Sequence, residues 1–136
     1  MELSRLEKAL RNSWNGETSY DYKRWTPENP AFGQCAATAL TLDDYMPGRI
    51  IQCDVIVPDK KETISHYFNE VEGEIIDLTK EQFPGGSVIP YGKDKLRATG
   101  AQTPEFPTTR DYLLSSPDTK RRYELLKQRV QTVLGK

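Results

Sequence analysis

The run Thr63-Ile64-Ser65-His66-Tyr67-Phe68-Asn69-Glu70-Val71-Glu72-Gly73-Glu74-Ile75-Ile76-Asp77-Leu78-Thr79 holds two β-prone segments divided by Glu72-Gly73, a pair suited to a tight turn. Two antiparallel strands follow from it. His66 stands six residues before Glu72 and Asp77 four after Gly73. Folding about the turn therefore allows the imidazole and the carboxylate to become neighbours, although the count does not fix the register. An imidazole held by a carboxylate keeps the tautomer that can take a proton from sulfur.

The sulfur is supplied upstream. Pro27-Glu28-Asn29-Pro30-Ala31-Phe32-Gly33-Gln34 resists helix formation, whereas Ala36-Ala37-Thr38-Ala39-Leu40-Thr41-Leu42 favours it, so Cys35 falls in the first turn of a helix. The unpaired amides and the positive end of the helix dipole there favour an anion, and hence the thiolate. Cys35, His66 and Asp77 thus have the residue types of a nucleophile, a base and an orienting acid. Each has a plainer reading. Cys35 can be a small apolar filler, His66 a satisfied strand histidine, and Asp77 the cap of the turn at Leu78-Thr79. Cys53, among apolar strand neighbours, reads as inert core.

Working outward, Leu3, Leu6, Leu10 and Trp14 recur at helical spacing, which predicts an amphipathic helix over residues 2 to 14 packed on the sheet. Residues 17 to 34 form an ordered loop in which Tyr20, Tyr22 and Trp25 are core edge or substrate wall. The helix after Cys35 ends at Pro47-Gly48, and residues 49 to 57 read as a strand ending at Pro58-Asp59. Residues 80 to 108 are broken by prolines and glycines and suggest a flap or packed loop. Residues 109 to 114 form a short helix. Ser116-Pro117 then starts a longer one, with Tyr123, Leu126, Val130 and Val133 as its buried stripe. The plan is α+β: a central antiparallel sheet against the cysteine-bearing helix, with N- and C-terminal helices.

The length of 136 residues fits a single domain spanning 1–136. With 19 basic against 20 acidic residues, and no basic run interleaved with aromatics, nucleic acid is not an expected partner. No apolar stretch reaches the length of a membrane helix and the first residues lack a signal-peptide core, so the expectation is a cytoplasmic protein without a membrane partner and with reduced thiols. One histidine and no Cys-x-x-Cys pair argue against a zinc site, and no metal or organic cofactor is expected.

Gly33-Gln34-Cys35, the helix after it, and His66-Tyr67-Phe68-Asn69-Glu70-Val71 running to Asp77-Leu78-Thr79 resemble the transglutaminase-like core over residues 33 to 79. Across the whole chain, the Trp-Thr-Pro, Gly-Gln-Cys, Ser-His-Tyr and Asp-Leu-Thr elements resemble a bacterial family called YunG-like. The resemblance implies a papain-like fold with Cys35, His66 and Asp77 as a catalytic triad. It departs from the pattern in its short intervals and in Phe68, where tryptophan is common. In papain-like enzymes a glutamine upstream of the nucleophile helps to hold the oxyanion. Asn29 and Gln34 are the candidates here, with Asn29 preferred because a side chain adjacent to the nucleophile usually points away from it. Trp25, Tyr67 and Asn69 are candidate substrate-lining residues. The expected chemistry is thiol-based hydrolysis, or acyl transfer, on a peptide or small amide-containing substrate. The alternative is a catalytically inactive scaffold on the same core.

Overall fold

A computed structural model describes residues 1–58, 63–91 and 106–135. Helix α1 spans Leu3–Ser13, α2 Cys35–Tyr45, α3 Thr109–Leu114 and α4 Pro117–Leu134; the strands are β1 Arg49–Ile56, β2 Thr63–Val71 and β3 Glu74–Ile76. Among the described residues the strands make one antiparallel sheet of order β1-β2-β3. The observed architecture is α+β.

The β2–β3 hairpin forms as the sequence requires. Glu72 and Gly73 have φ of 52° and 82°, the left-handed pair of a two-residue turn whose twist matches the strands. Val71 pairs with Glu74, Glu70 with Ile75 and Asn69 with Ile76. The second strand stops there, so Asp77 lies just past β3 rather than inside a strand running to Thr79. The extra residues would have extended the ladder, but Thr79 to Phe83 instead coil into a short 3-10 turn over Lys80–Gln82.

Two apolar clusters flank the sheet. One gathers α1, α2 and α4 around Leu6, Leu10, Leu40, Leu126 and Val130. Helix α2 is buried from Ala36 through Leu42, which accounts for its alanine content: small side chains let neighbours approach on all sides. The expectation that α1 packs on the sheet is corrected. It lies against α4 and α2, and its Trp14 Nε1 donates to Thr38 Oγ1 at 2.9 Å. On α4 the stripe is Tyr123, Leu126, Val130 and Leu134, while Val133 is exposed. Eleven residues at about 100° each bring Leu134 back to the face of Tyr123, whereas Val133 falls well to one side. The Ser116 hydroxyl caps α4 by accepting from the Thr119 amide at 3.3 Å.

The second cluster sits on the opposite face of the sheet: Ile51, Cys53, Val55, Val57 and Phe68. Phe83, Ile89 and Tyr91 pack against it, and Val88 exchanges both backbone hydrogen bonds with Ile56 at 2.8 and 3.0 Å. Residues 80–91 are therefore a packed cover. The remainder of the expected flap, 92–105, and Asp59 at the end of the first strand lie outside the described residues.

Candidate functional site

Asn69 faces Ile76 in the ladder, so continuing that register would set Phe68 opposite Asp77. His66, two residues further, shares the face of Phe68, and a diagonal neighbour two positions along is within reach of a long side chain. The contact is made: His66 Nε2 and Asp77 Oδ2 are 2.7 Å apart, with both side chains buried. Tyr91 Oη donates to the same carboxylate oxygen at 2.7 Å. Burial and this carboxylate hold the Tyr91 hydroxyl proton well above the usual phenol range. Phe83 meets the imidazole edge-on at 4.9 Å and Tyr91 meets Phe68 at 5.2 Å. The pair is thus walled by aromatic rings.

Cys35, at the head of α2, completes the group. Burial favours its neutral thiol, but the His66 ring and the Tyr67 backbone N–H both favour the anion and prevail, leaving the thiol below its ordinary value of 9.0. Desolvation acts on His66 in the same uncharging sense, yet Asp77 and Cys35 together raise its pKa from 6.5 to about 9. His66 Nδ1 is buried and makes no hydrogen bond within the protein, so the coupling of ring and thiol lies in their mutual effect on ionisation. The first-turn amides of α2 add their partial positive charge. Cys53 is the contrast: fully buried and desolvated, with Asp77 and Asp54 nearby, it is pushed up to about 12 and remains a neutral thiol.

Cys35 opens on a cleft of about 680 Å³. Asn29 and Tyr67 line it; Trp25, Asn69 and Gln34 do not. Trp25 turns its Nε1 to the Pro30 carbonyl at 3.0 Å. Asn69 is buried between β2 and α2, where its Nδ2 donates to the Ala39 carbonyl at 3.0 Å. Gln34 is fully buried away from the cleft, and its Nε2 donates to the Asn15 carbonyl at 2.9 Å. Asn29 Nδ2 donates to the Gln82 carbonyl at 3.2 Å, which leaves one of its two N–H groups for a ligand. Among the described residues no group of three or more His, Cys, Asp or Glu side chains is placed to hold a metal ion, and no helix is long and apolar enough to cross a membrane.

Gln82 and Phe83 were not assigned a role from sequence, and Tyr91 reads there only as a packing or cleft-lining aromatic. Gln82 accepts from the Gly33 amide at 3.2 Å and donates to the Thr79 carbonyl and hydroxyl, both at 3.1 Å. One side chain thereby ties the loop before Cys35 to the turn after Asp77. Phe83 and Tyr91 brace the imidazole and carboxylate. The signal available for them was their position five, six and fourteen residues beyond Asp77, in a segment too long to be a plain connector.

Fold and site together define an α+β domain in which a thiol at a helix start meets a buried histidine–aspartate pair beside a cleft. The chain belongs to the YunG family: the family model described as YunG protein matches residues 2–135. The uncharacterized protein YunG of Bacillus subtilis (strain 168) is 32% identical over 81 residues, a match covering 60% of this chain and 63% of that protein. No solved structure matches the chain significantly.

Proposed function

We propose that the protein is a thiol enzyme with a papain-like, transglutaminase-like core that cleaves or transfers acyl groups from an amide or related bond. The observation that carries this reading is the 2.7 Å His66–Asp77 contact beside a Cys35 thiol whose ionisation is favoured by that same histidine. A thiolate facing an imidazolium is already the nucleophile, and the imidazolium is already the acid that a leaving amine needs.

In the proposed cycle the Cys35 sulfur donates its electron pair to the substrate carbonyl carbon, and the carbonyl π electrons move to oxygen. The Cys35 backbone N–H and the free N–H of the Asn29 amide receive that oxyanion. When the carbonyl re-forms, the C–N bond breaks and the His66 Nδ1 proton passes to the leaving nitrogen. Neutral His66 then takes a proton from water or an acceptor amine, which attacks the thioester, and the sulfur leaves as thiolate. Asp77 retains its negative charge throughout and holds the ring through Nε2.

The test is acyl trapping. Incubation with p-nitrophenyl acetate should release p-nitrophenolate in a burst close to one equivalent, with an acetyl adduct on the peptide containing Cys35 and none on Cys53. The burst should vanish in Cys35→Ser and slow by at least tenfold in His66→Ala. A wild-type chain that acquires no adduct at Cys35, or acquires it equally at both thiols, is an inert scaffold.

A further inference from the structure

The cleft that holds Cys35 is lined by two cationic side chains, Arg24 and Arg122, and by no aspartate or glutamate among the described residues. That is unusual for a chain with 20 acidic and 19 basic residues. The two arginines differ in kind. Arg24 is largely exposed, lies over the Phe32 ring at 5.3 Å, and reaches Asp21 only at 4.0 Å. It forms a charged rim beside Tyr20, whose ring meets Phe32 at 5.6 Å.

Arg122 belongs to the packed wall. It comes from α4 and is 5% exposed, a burial that arginine rarely reaches without full pairing. Nε donates to Asp118 Oδ2 at 2.9 Å and Nη2 to Thr119 Oγ1 at 3.3 Å. Nη1 is buried with no acceptor at all. Desolvating guanidinium N–H groups without an acceptor is costly, and native structures leave few such groups without a reason. Its one carboxylate partner, Asp118, is more than half exposed and is shared with Arg121 at 2.8 Å, so the positive charge toward the cleft is only partly offset. A planar guanidinium held at two nitrogens and vacant at the third is suited to receive a carboxylate oxygen.

We propose that the substrate of this cleft carries a carboxylate, which Arg122 binds by turning the unpaired Nη1 side of its guanidinium into the cleft while Arg24 attracts it at the rim. This rests on the thiol chemistry proposed above and narrows its substrates to acidic acyl compounds, such as an amide whose acyl or amine part bears a free carboxyl group. Arg122 is then a specificity residue: it holds the anionic end of the molecule and the carbonyl is left to Cys35.

Two alkylating agents of nearly equal size separate the questions. Iodoacetamide is neutral and iodoacetate carries a carboxylate, and both form the same bond to sulfur with loss of iodide. The second-order rate constant of each at Cys35 is measured by peptide mass spectrometry and referred to glutathione under the same conditions. The iodoacetate-to-iodoacetamide ratio at Cys35 should exceed that of glutathione by roughly threefold or more, the size of one half-screened charge contact. It should fall with added salt.

Because the His66 imidazolium also attracts anions, the assignment to the arginines is made with variants. Arg122→Met should bring the ratio most of the way down. Arg122→Lys, which keeps the charge but loses the fork, should lower it partly, and Arg24→Gln should lower it by a smaller factor, with iodoacetamide rates little changed in all three. Melting curves establish that each variant is folded, and Arg24→Gln alters only a solvent-facing side chain. A wild-type ratio equal to that of glutathione, or one that survives both Arg122→Met and Arg24→Gln, overturns the proposal. A Cys35 that reacts with iodoacetamide no faster than glutathione instead counts against the thiolate reading, and the ratio still reports the charge preference of the cleft.

Discussion

Replacing Asp77 by asparagine keeps the shape of the side chain and removes its charge. In the wild type, Asp77 Oδ2 receives His66 Nε2 and Tyr91 Oη, each at 2.7 Å, and an asparagine oxygen can still accept one of them. The electrostatic consequence is larger than the geometric one. His66 is raised from 6.5 to about 9 against a desolvation that opposes the charge; at about 1.4 kcal/mol per pH unit the rise is worth roughly 3 kcal/mol. Asp77 and Cys35 supply it together, so if Asp77 provides about half, the imidazolium loses on the order of tenfold in stability. The thiolate loses part of its counter-ion's support, an effect partly offset because the Asp77 charge itself disfavours the thiolate. The assay is the rate of Cys35 alkylation by iodoacetamide from mildly acid to alkaline pH, read by peptide mass spectrometry with Cys53 as internal reference. Wild-type Cys35 should reach its plateau below the ordinary thiol range, because its ionisation is favoured. Asp77→Asn should need a higher pH to reach it and react roughly tenfold more slowly near neutrality. Identical profiles for the two proteins would mean that the carboxylate does not govern the sulfur, and the triad reasoning would fail.

Gly33 has φ of +72°, and a Cβ there would lie 2.2 Å from Ser19 Oγ and 2.9 Å from the Tyr20 amide nitrogen; Gly33→Ala should cost on the order of 2 kcal/mol or more in chemical denaturation, and a midpoint unchanged from wild type would refute the strain. Tyr91→Phe removes one donor to Asp77 but keeps the ring on Phe68; stability should drop by about 1 kcal/mol and Cys35 alkylation should slow by less than in Asp77→Asn, an order that direct comparison of the two rates checks. Two contributions to stability should fall in alkali, opposed by Cys35, whose lowered value adds stability as pH rises toward 9.0. The His66 contribution is complete below its unfolded value of 6.5 and disappears as pH rises through about 9, and the neutral Cys53 contribution is complete below 9.0 and disappears toward about 12. Denaturant titrations across this range in Cys53→Val should retain the first decline and show a shallower second one, to which the raised Tyr67, Tyr91 and Tyr123 also contribute; an alkaline profile identical to wild type would show that Cys53 does not couple to folding.

The elements that could be read from sequence are those set by local rules. Turn chemistry at Glu72-Gly73, the Ser116-Pro117 helix start and the boundary between helix-hostile and alanine-rich segments at Cys35 placed the hairpin, α4 and α2 near their observed limits. Helices α1 and α4 could be seen, but not that they pack on each other, since an apolar stripe does not name the surface that covers it. Register was the other gap. Position counts allowed His66 and Asp77 to meet, but the end of β3 at Ile76 depends on the chain coiling at Lys80–Gln82. Gln82 carried no local signal, because a glutamine that bridges two loops is defined by distant partners, and the place of Arg24 and Arg122 at the cleft depends on the elements packed around them. The same reason separates Asn29, which lines the cleft, from Gln34, which is buried beside Asn15.

The shortness of β3 is what lets these distant parts converge. Strand β2 has nine residues, and β3 pairs with only its last three. The edge of β2 before Asn69 is therefore left uncovered by a neighbouring strand, and the Tyr67 N–H on that stretch is free to meet the Cys35 sulfur. Had β3 continued beyond Asp77, its backbone would have taken the Tyr67 amide and occupied the place of the head of α2, and the Asp77 side chain would have been held in the ladder. Ending the strand at Ile76 instead releases Asp77 to turn toward His66, and Gln82 then pins that turn to Gly33, two residues before the nucleophile. The thiol comes from the helical cluster and the imidazole from the opposite face of the sheet, so their contact depends on this one open edge. Lengthening β3 by two β-prone residues after Ile76 would therefore abolish thiol activation while leaving both apolar clusters intact.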